Sequence, residues 1–100
     1  MKVRARVAWN LRVLRTARQI TQENLAVDAD VDRTTISGLE RGDFNASLDV
    51  VERIAEALGV DVLNFFQMPA AGAGEPAPLK PGRKSRVGAR EASGRKKAAE

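Results

Sequence analysis

Short amphipathic segments bounded by helix-capping residues constrain this chain more than any other feature of its sequence. The clearest lies between Ser47 and Gly59, where apolar residues recur three or four positions apart, as one face of a helix requires. Its stripe consists of Leu48, Val51, Ile54, Ala55 and Leu58. Ser47 is a favoured N-cap and Gly59 a favoured C-terminal residue, so this segment is predicted to be a helix.

The amino-terminal segment predicts a first helix over residues 4–18, with an apolar stripe of Val7, Leu11 and Leu14. Residues 1–18 contain six basic residues and no acidic one, a composition also found in transit peptides and membrane-surface helices. The apolar stripe continues into a folded-domain pattern, which favours a domain helix with a basic solvent face. Trp9 lies on roughly the opposite side and is a candidate partner surface.

Two short helices follow in close succession. Thr21 is the expected N-cap of a second helix that ends near Ala29, and Asp32 the expected N-cap of a third over residues 33–41, which Gly42 ends. Two short helices joined by about four residues have the geometry of a helix-turn-helix. An ordinary helical hairpin in a domain with another role is the alternative.

A short fifth helix is expected after Asp61, with Val60, Leu63 and Phe66 as its apolar residues. No segment shows the strict alternation of a β-strand. The predicted fold is therefore all-α, a compact domain of five short helices that cross steeply.

The absence of cysteine and histidine excludes several classes of function. Disulfides, thiolate metal sites and the commonest general base are ruled out, and a reducing cytoplasm is the expected location. Asp28, Asp30 and Asp32 lack the glycine and the later glutamate of a calcium loop. We therefore expect no enzyme activity, no metal, no cofactor and no small-molecule ligand. No apolar run approaches the roughly 20 residues of a membrane helix, so no membrane association is expected.

The composition changes at Pro69. Residues 69–100 contain eight basic and three acidic residues, a formal charge of +5, whereas residues 1–68 sum to −1. This alanine-, glycine- and proline-rich stretch is too poor in large apolar residues to form a core, and it is predicted to be a disordered tail. The tail either adds non-specific attraction to phosphates or only solubilises the domain, and the sequence leaves both open.

In a helix-turn-helix the outer face of the second helix must be free to enter the major groove of DNA. Helical spacing places Ile36 and Leu39 inward. The predicted base-reading residues on the outer side are Arg33, Thr34, Ser37 and Gly38. The predicted phosphate-contacting residues are Gln22, Thr35, Arg41 and Asn45.

Three motifs in order, TQENLA at 21–26, TTISGLERG at 34–42 and IAEALGV at 54–60, resemble the Xre family of phage-repressor and Cro-type helix-turn-helix proteins. The resemblance covers roughly residues 7–66. It implies a lambda-repressor-like domain over residues 1–68, double-stranded DNA as partner, frequent homodimerisation, and an internal ion pair between Arg15 and Glu40. The sequence departs from the family pattern at Asp30, Gly38, Asp43 and Ala46.

The expected function is that of a small DNA-binding transcriptional regulator, most simply a repressor. Two alternatives remain open: an antitoxin-type protein whose main partner is a toxin, and a non-specific DNA binder driven by the basic tail. The dimer surface is also open, with Trp9 and the Phe65–Phe66 end as candidates.

Overall fold

The computed structural model describes residues 1–70 of the chain. This part contains four α-helices and one 3₁₀ helix, and no strand occurs within it. The elements are α1 (Val3–Ala17), α2 (Gln22–Ala29), α3 (Arg33–Arg41), α4 (Leu48–Leu58) and the 3₁₀ helix Val62–Phe65. The all-α prediction is confirmed, with one difference: the fifth element is a single 3₁₀ turn. Apart from its first two residues, the predicted tail lies outside the described residues.

Side-chain N-caps stabilise the first turns of three of these elements. The Thr21 hydroxyl accepts a hydrogen bond from the backbone N–H of Asn24, and the Ser47 hydroxyl accepts one from Val50, both at 3.1 Å. Asp61 accepts from the backbone N–H of Leu63 at 2.9 Å. These bonds satisfy amides that a helix start leaves free. Asp32 occupies the N-cap position of α3, as predicted, but its side chain makes no capping bond.

Residues in the left-handed conformation end α2, α3 and α4. Gly42 and Gly59 follow α3 and α4 with φ of 77° and 72°, a region that costs glycine little. Asp30 takes the same role after α2, with φ of 58°. Aspartate tolerates this conformation better than most non-glycine residues, which explains how Asp30 replaces the glycine common in this turn.

All five elements contribute to one aliphatic core around a single phenylalanine. Phe65 is 1% exposed. The other core residues are Val7, Leu11, Leu25, Ala26, Ala29, Ile36, Leu39, Val51, Ile54, Ala55 and Leu58. Two predicted stripe residues lie outside it, because Leu48 is 82% and Leu63 67% exposed. Val60 and Phe66, the other two residues predicted for the last element, are partly buried and pack against the core, so only Leu63 was misplaced there.

Side chains of α1 hold the 3₁₀ helix against the domain. The amide nitrogen of Asn10 donates to the backbone carbonyls of Phe65 at 2.9 Å and Gln67 at 2.7 Å. Arg6 donates to the carbonyl of Phe66 at 3.1 Å. These bonds satisfy carbonyls that the short helix leaves free. They join segments more than fifty residues apart, so no local pattern in the sequence predicts them.

Replacing Phe65 by alanine should reduce the free energy of unfolding by about 3–5 kcal/mol, because it leaves a large cavity in a small core. Leu48→Ala is the matched control, since it removes an exposed side chain and should change stability by no more than about 0.5 kcal/mol. Urea denaturation followed by circular dichroism measures both. Equal losses in the two variants would show that Phe65 is not the centre of the core.

Candidate nucleic-acid interface

The short connection between α2 and α3 gives α3 a buried back and an open front. Only residues 30–32 separate the two helices. Ile36 and Leu39 on the back of α3 are 0% and 5% exposed and belong to the core. The opposite side of α3 carries short polar and basic side chains and is open to solvent along its first turn.

Arg33 and Thr34 form the accessible start of that open side. Both residues are exposed. Neither side chain makes a hydrogen bond or an ion pair with the part of the chain that the structure describes. Their donors and acceptors are therefore available to a ligand, and no internal contact has to break first.

The end of α3 has a different arrangement, because Arg41 is bonded to two neighbours. Its Nη1 donates to the Ser37 hydroxyl at 2.6 Å, and its Nε donates to the Asp43 carboxylate at 2.9 Å. The Arg41–Asp43 pair is well exposed, with side-chain exposures of 60% and 65%. Exposed pairs of this kind contribute little stability, so a phosphate can compete for Arg41. Of the other predicted phosphate contacts, Thr35 is half-buried and Asn45 is exposed.

Gly38 lies one turn beyond Thr34 on the same side of α3, but it is buried, so no surface of Gly38 itself is open to a base. The residue is buried beneath Phe44 from the following loop. A Cβ atom built on Gly38 would lie 3.1 Å from the Cβ of Phe44 and 3.5 Å from its ring. Helical spacing placed Gly38 outward correctly for an isolated helix, but it carried no information about the loop that folds back over this position.

Arg15 and Glu40 form a buried, two-pronged ion pair between α1 and α3. Arg15 Nη2 donates to Glu40 Oε1 at 2.9 Å, and its Nε donates to Oε2. The side chains are 7% and 5% exposed. Arg15 Nη1 also donates to the Ile20 carbonyl at 2.7 Å, which holds the loop before α2. Geometry of this kind compensates both charges and adds directional specificity.

Gln22, the first residue of α2, joins the same cluster. Its Nε2 donates to Glu40 Oε1 at 3.0 Å. An amide nitrogen carries two N–H groups, so one N–H and the amide oxygen of Gln22 remain for another partner. The sequence pattern indicated only a phosphate contact for Gln22 and gave no sign of this bond, which depends on the meeting of three helices.

The two candidate partner surfaces differ in accessibility. Trp9 is half-buried, and the guanidinium of Arg12 lies 5.9 Å from the centre of its ring. At the Phe65–Phe66 end, Phe65 is in the core and Phe66 is half-buried, so neither ring is a freely exposed surface. At the same end of the domain, Leu63 and Met68 are 67% and 56% exposed and present apolar surface.

Residues 1–70 contain neither a membrane-spanning helix nor a metal-binding cluster. No helix there is long and apolar enough to cross a membrane. No group of three or more acidic side chains is placed there to hold a metal ion.

Two short helices, the second with one side packed in the core and a polar side open to solvent, are the features of a helix-turn-helix DNA-binding domain. A helix-turn-helix family model matches residues 11–64, more than half of the chain. The chain belongs to this Xre-like family of helix-turn-helix transcription regulators, as its motifs predicted.

Individual relatives support this assignment. The chain is 51% identical over 49 residues to control protein C.BamHI of Bacillus amyloliquefaciens, a match that covers 46% of this chain and 60% of the relative. It is 41% identical over 67 residues to a Neisseria meningitidis hypothetical transcription factor, covering 67% of this chain and 63% of the relative. The chain thus spans less than two thirds of each of these two relatives.

A solved structure has the same architecture. The restriction-modification controller protein C.AhdI from Aeromonas hydrophila superimposes with a TM-score of 0.61 at 36% identity. The match covers 63% of this chain and 96% of that protein. The helical domain described above therefore corresponds to nearly the whole of a small controller protein.

Replacing Glu40 by glutamine should reduce the free energy of unfolding by about 3–5 kcal/mol, because it leaves the buried Arg15 guanidinium without its counter-charge. Asp43→Asn removes the carboxylate of the exposed Arg41–Asp43 pair and is the control, with an expected loss below about 1 kcal/mol. Thermal and urea denaturation report both. A small, equal loss in the two variants would show that the buried pair has no structural role.

Proposed function

We propose that this chain binds double-stranded DNA sequence-specifically, with α3 in the major groove, and regulates transcription of restriction–modification genes. The observation that carries this proposal is the open first turn of α3. Arg33 and Thr34 are exposed and without internal partners in the described part of the chain, while Ile36 and Leu39 anchor the opposite side in the core.

The chemistry of this turn suits base recognition. The Arg33 guanidinium can donate two parallel hydrogen bonds to O6 and N7 of guanine. Thr34 can offer its hydroxyl to a base and its methyl group to thymine. The Ser37 hydroxyl, which already accepts from Arg41, stands one turn further on as a third base-reading candidate.

Phosphate contacts would set the position of α3 in the groove. Gln22 lies at the amino-terminal end of α2, where free backbone N–H groups and the helix dipole favour an anion. Thr35, Arg41 and Asn45 are the other candidates. Because residues 1–68 sum to −1, these local contacts, and not an overall basic field, would determine where the domain meets the duplex.

The names of the relatives support a role in controlling genes. C.AhdI is a restriction-modification controller protein, C.BamHI a control protein, and an immunity repressor of Bacillus phage phi105 is 36% identical over 56 residues. A domain of this size bound across a promoter would exclude other proteins from it. We therefore propose repression as the mode of control, with a homodimer as the binding unit.

Arg33→Ala should relax the preference at one base pair by about 1–3 kcal/mol and leave the rest of the recognised sequence unchanged. Selection from random duplexes at a stated salt concentration measures this. Arg53→Ala is the matched control, because it removes the same charge from an exposed position on α4.

The same selection tests the proposal itself. A dimer would enrich two half-sites about 10 base pairs apart. Flat enrichment by the unaltered chain would refute sequence-specific binding. Loss of preference at the same base pair in Arg53→Ala would refute the role given to Arg33.

Removing residues 71–100 should preserve the selected sequence and weaken binding to all duplexes alike. The basic residues of that region are expected to contact phosphates non-specifically, so the slope of log K against log salt should fall by about 0.9 for each phosphate that the shortened protein no longer neutralises. Titrations of the full chain and residues 1–70 across a salt series measure this. If the shortened protein bound but no longer distinguished one duplex from another, the alternative of a tail-driven, non-specific binder would be favoured.

A further inference from the structure

Phe44 and Gly38 form a close contact between the α3–α4 loop and the side of α3. The 3.1 Å separation between the Phe44 Cβ and a Cβ built on Gly38 is tighter than ordinary van der Waals contact. A Cβ at position 38 would therefore require Phe44 to move by a few tenths of an ångström. The absence of a side chain at Gly38 lets the phenylalanine pack this closely.

The place that Phe44 fills is on the DNA-facing side of α3. Residues four apart on a helix are neighbours on one face, so Gly38 lies one turn beyond Thr34. A side chain at position 38 would project beside Thr34 and Ser37. Phe44 supplies the side chain there, although it belongs to the loop and not to the helix.

The contact with Gly38 covers only part of the Phe44 side chain. Phe44 is 42% exposed, and it stands next to the polar Arg41–Asp43 pair. It is therefore an apolar surface within a face that is otherwise polar. The apolar group that base pairs present in the major groove is the C5 methyl of thymine, and phenylalanine is one of the side chains that contact it.

We propose that Phe44, seated on Gly38, is a specificity-determining residue that contacts a thymine methyl group next to the bases reached by Arg33 and Thr34. This inference rests on the proposed function. It assigns to the loop side chain the recognition that the sequence had assigned to position 38.

The test begins with the duplex that the full chain selects. Each thymine in it is replaced singly by deoxyuridine, which removes only the methyl group. Binding by the unaltered chain should weaken about fourfold at one thymine, the loss expected for one buried methyl group.

Three variants identify the side chain responsible. Phe44→Ala should bind the thymine and deoxyuridine duplexes equally, whereas Phe44→Leu should retain part of the difference because it keeps an apolar surface. Val27→Ala, which shortens a 72% exposed apolar residue on α2, should retain the full difference. Circular dichroism establishes that each variant is folded.

The outcomes separate the two proposals. If the unaltered chain selects a sequence but is indifferent to every deoxyuridine replacement, Phe44 does not read a methyl group and the proposed function stands. Persistence of the fourfold difference in folded Phe44→Ala also overturns the inference. If no sequence is selected at all, the proposed function fails and the inference fails with it.

Discussion

The carboxylate of Glu40 joins three helices, and the orientation of α3 depends on it. Glu40 accepts hydrogen bonds from Arg15 of α1 and Gln22 of α2 while belonging to α3. A buried carboxylate is costly unless it is paired and hydrogen-bonded, so arrangements that bring these partners together are favoured. Ile36 and Leu39 add apolar burial on the same helix. Together these contacts fix which side of α3 faces inward, and the opposite side, where the helix begins, is left to solvent as a consequence.

Most charged side chains around α3 are paired with a neighbour of opposite charge. The opposite charges of the buried Arg15–Glu40 pair cancel, so the pair adds little electric potential at the surface. The exposed Arg41–Asp43 pair likewise leaves the end of α3 without net charge. Arg33 remains as a cation at the start of α3 without a partner in the described part of the chain. A single free guanidinium beside polar and apolar groups favours selective contact with base edges over general attraction to phosphates. The sequence beyond residue 70 carries eight basic residues against three acidic ones.

Several features could be predicted because they depend on residues close together in the chain. The bounds of α1 to α4 follow from the spacing of apolar residues and from the caps Thr21, Ser47, Gly42 and Gly59. The family motifs predicted the pairing of Arg15 with Glu40, which local spacing could not. Errors occurred where packing outside the helix itself decides accessibility. Gly38 is covered by the loop that follows α3, Leu48 lies at a helix start beyond the core, and Leu63 is exposed while Phe65 is buried.

The sequence by itself determined an all-α domain, the places where its helices begin and end, and the position of a helix pair suited to DNA. These properties depend on backbone capping and on a periodicity that each segment carries alone. Tertiary structure alone decided which polar side chains are free. It bonded Gln22 to Glu40, tied Asn10 to the backbone of the 3₁₀ helix, and placed Phe44 where α3 has no side chain. Each of these contacts joins residues on different elements, and its formation depends on how whole helices and loops pack in three dimensions.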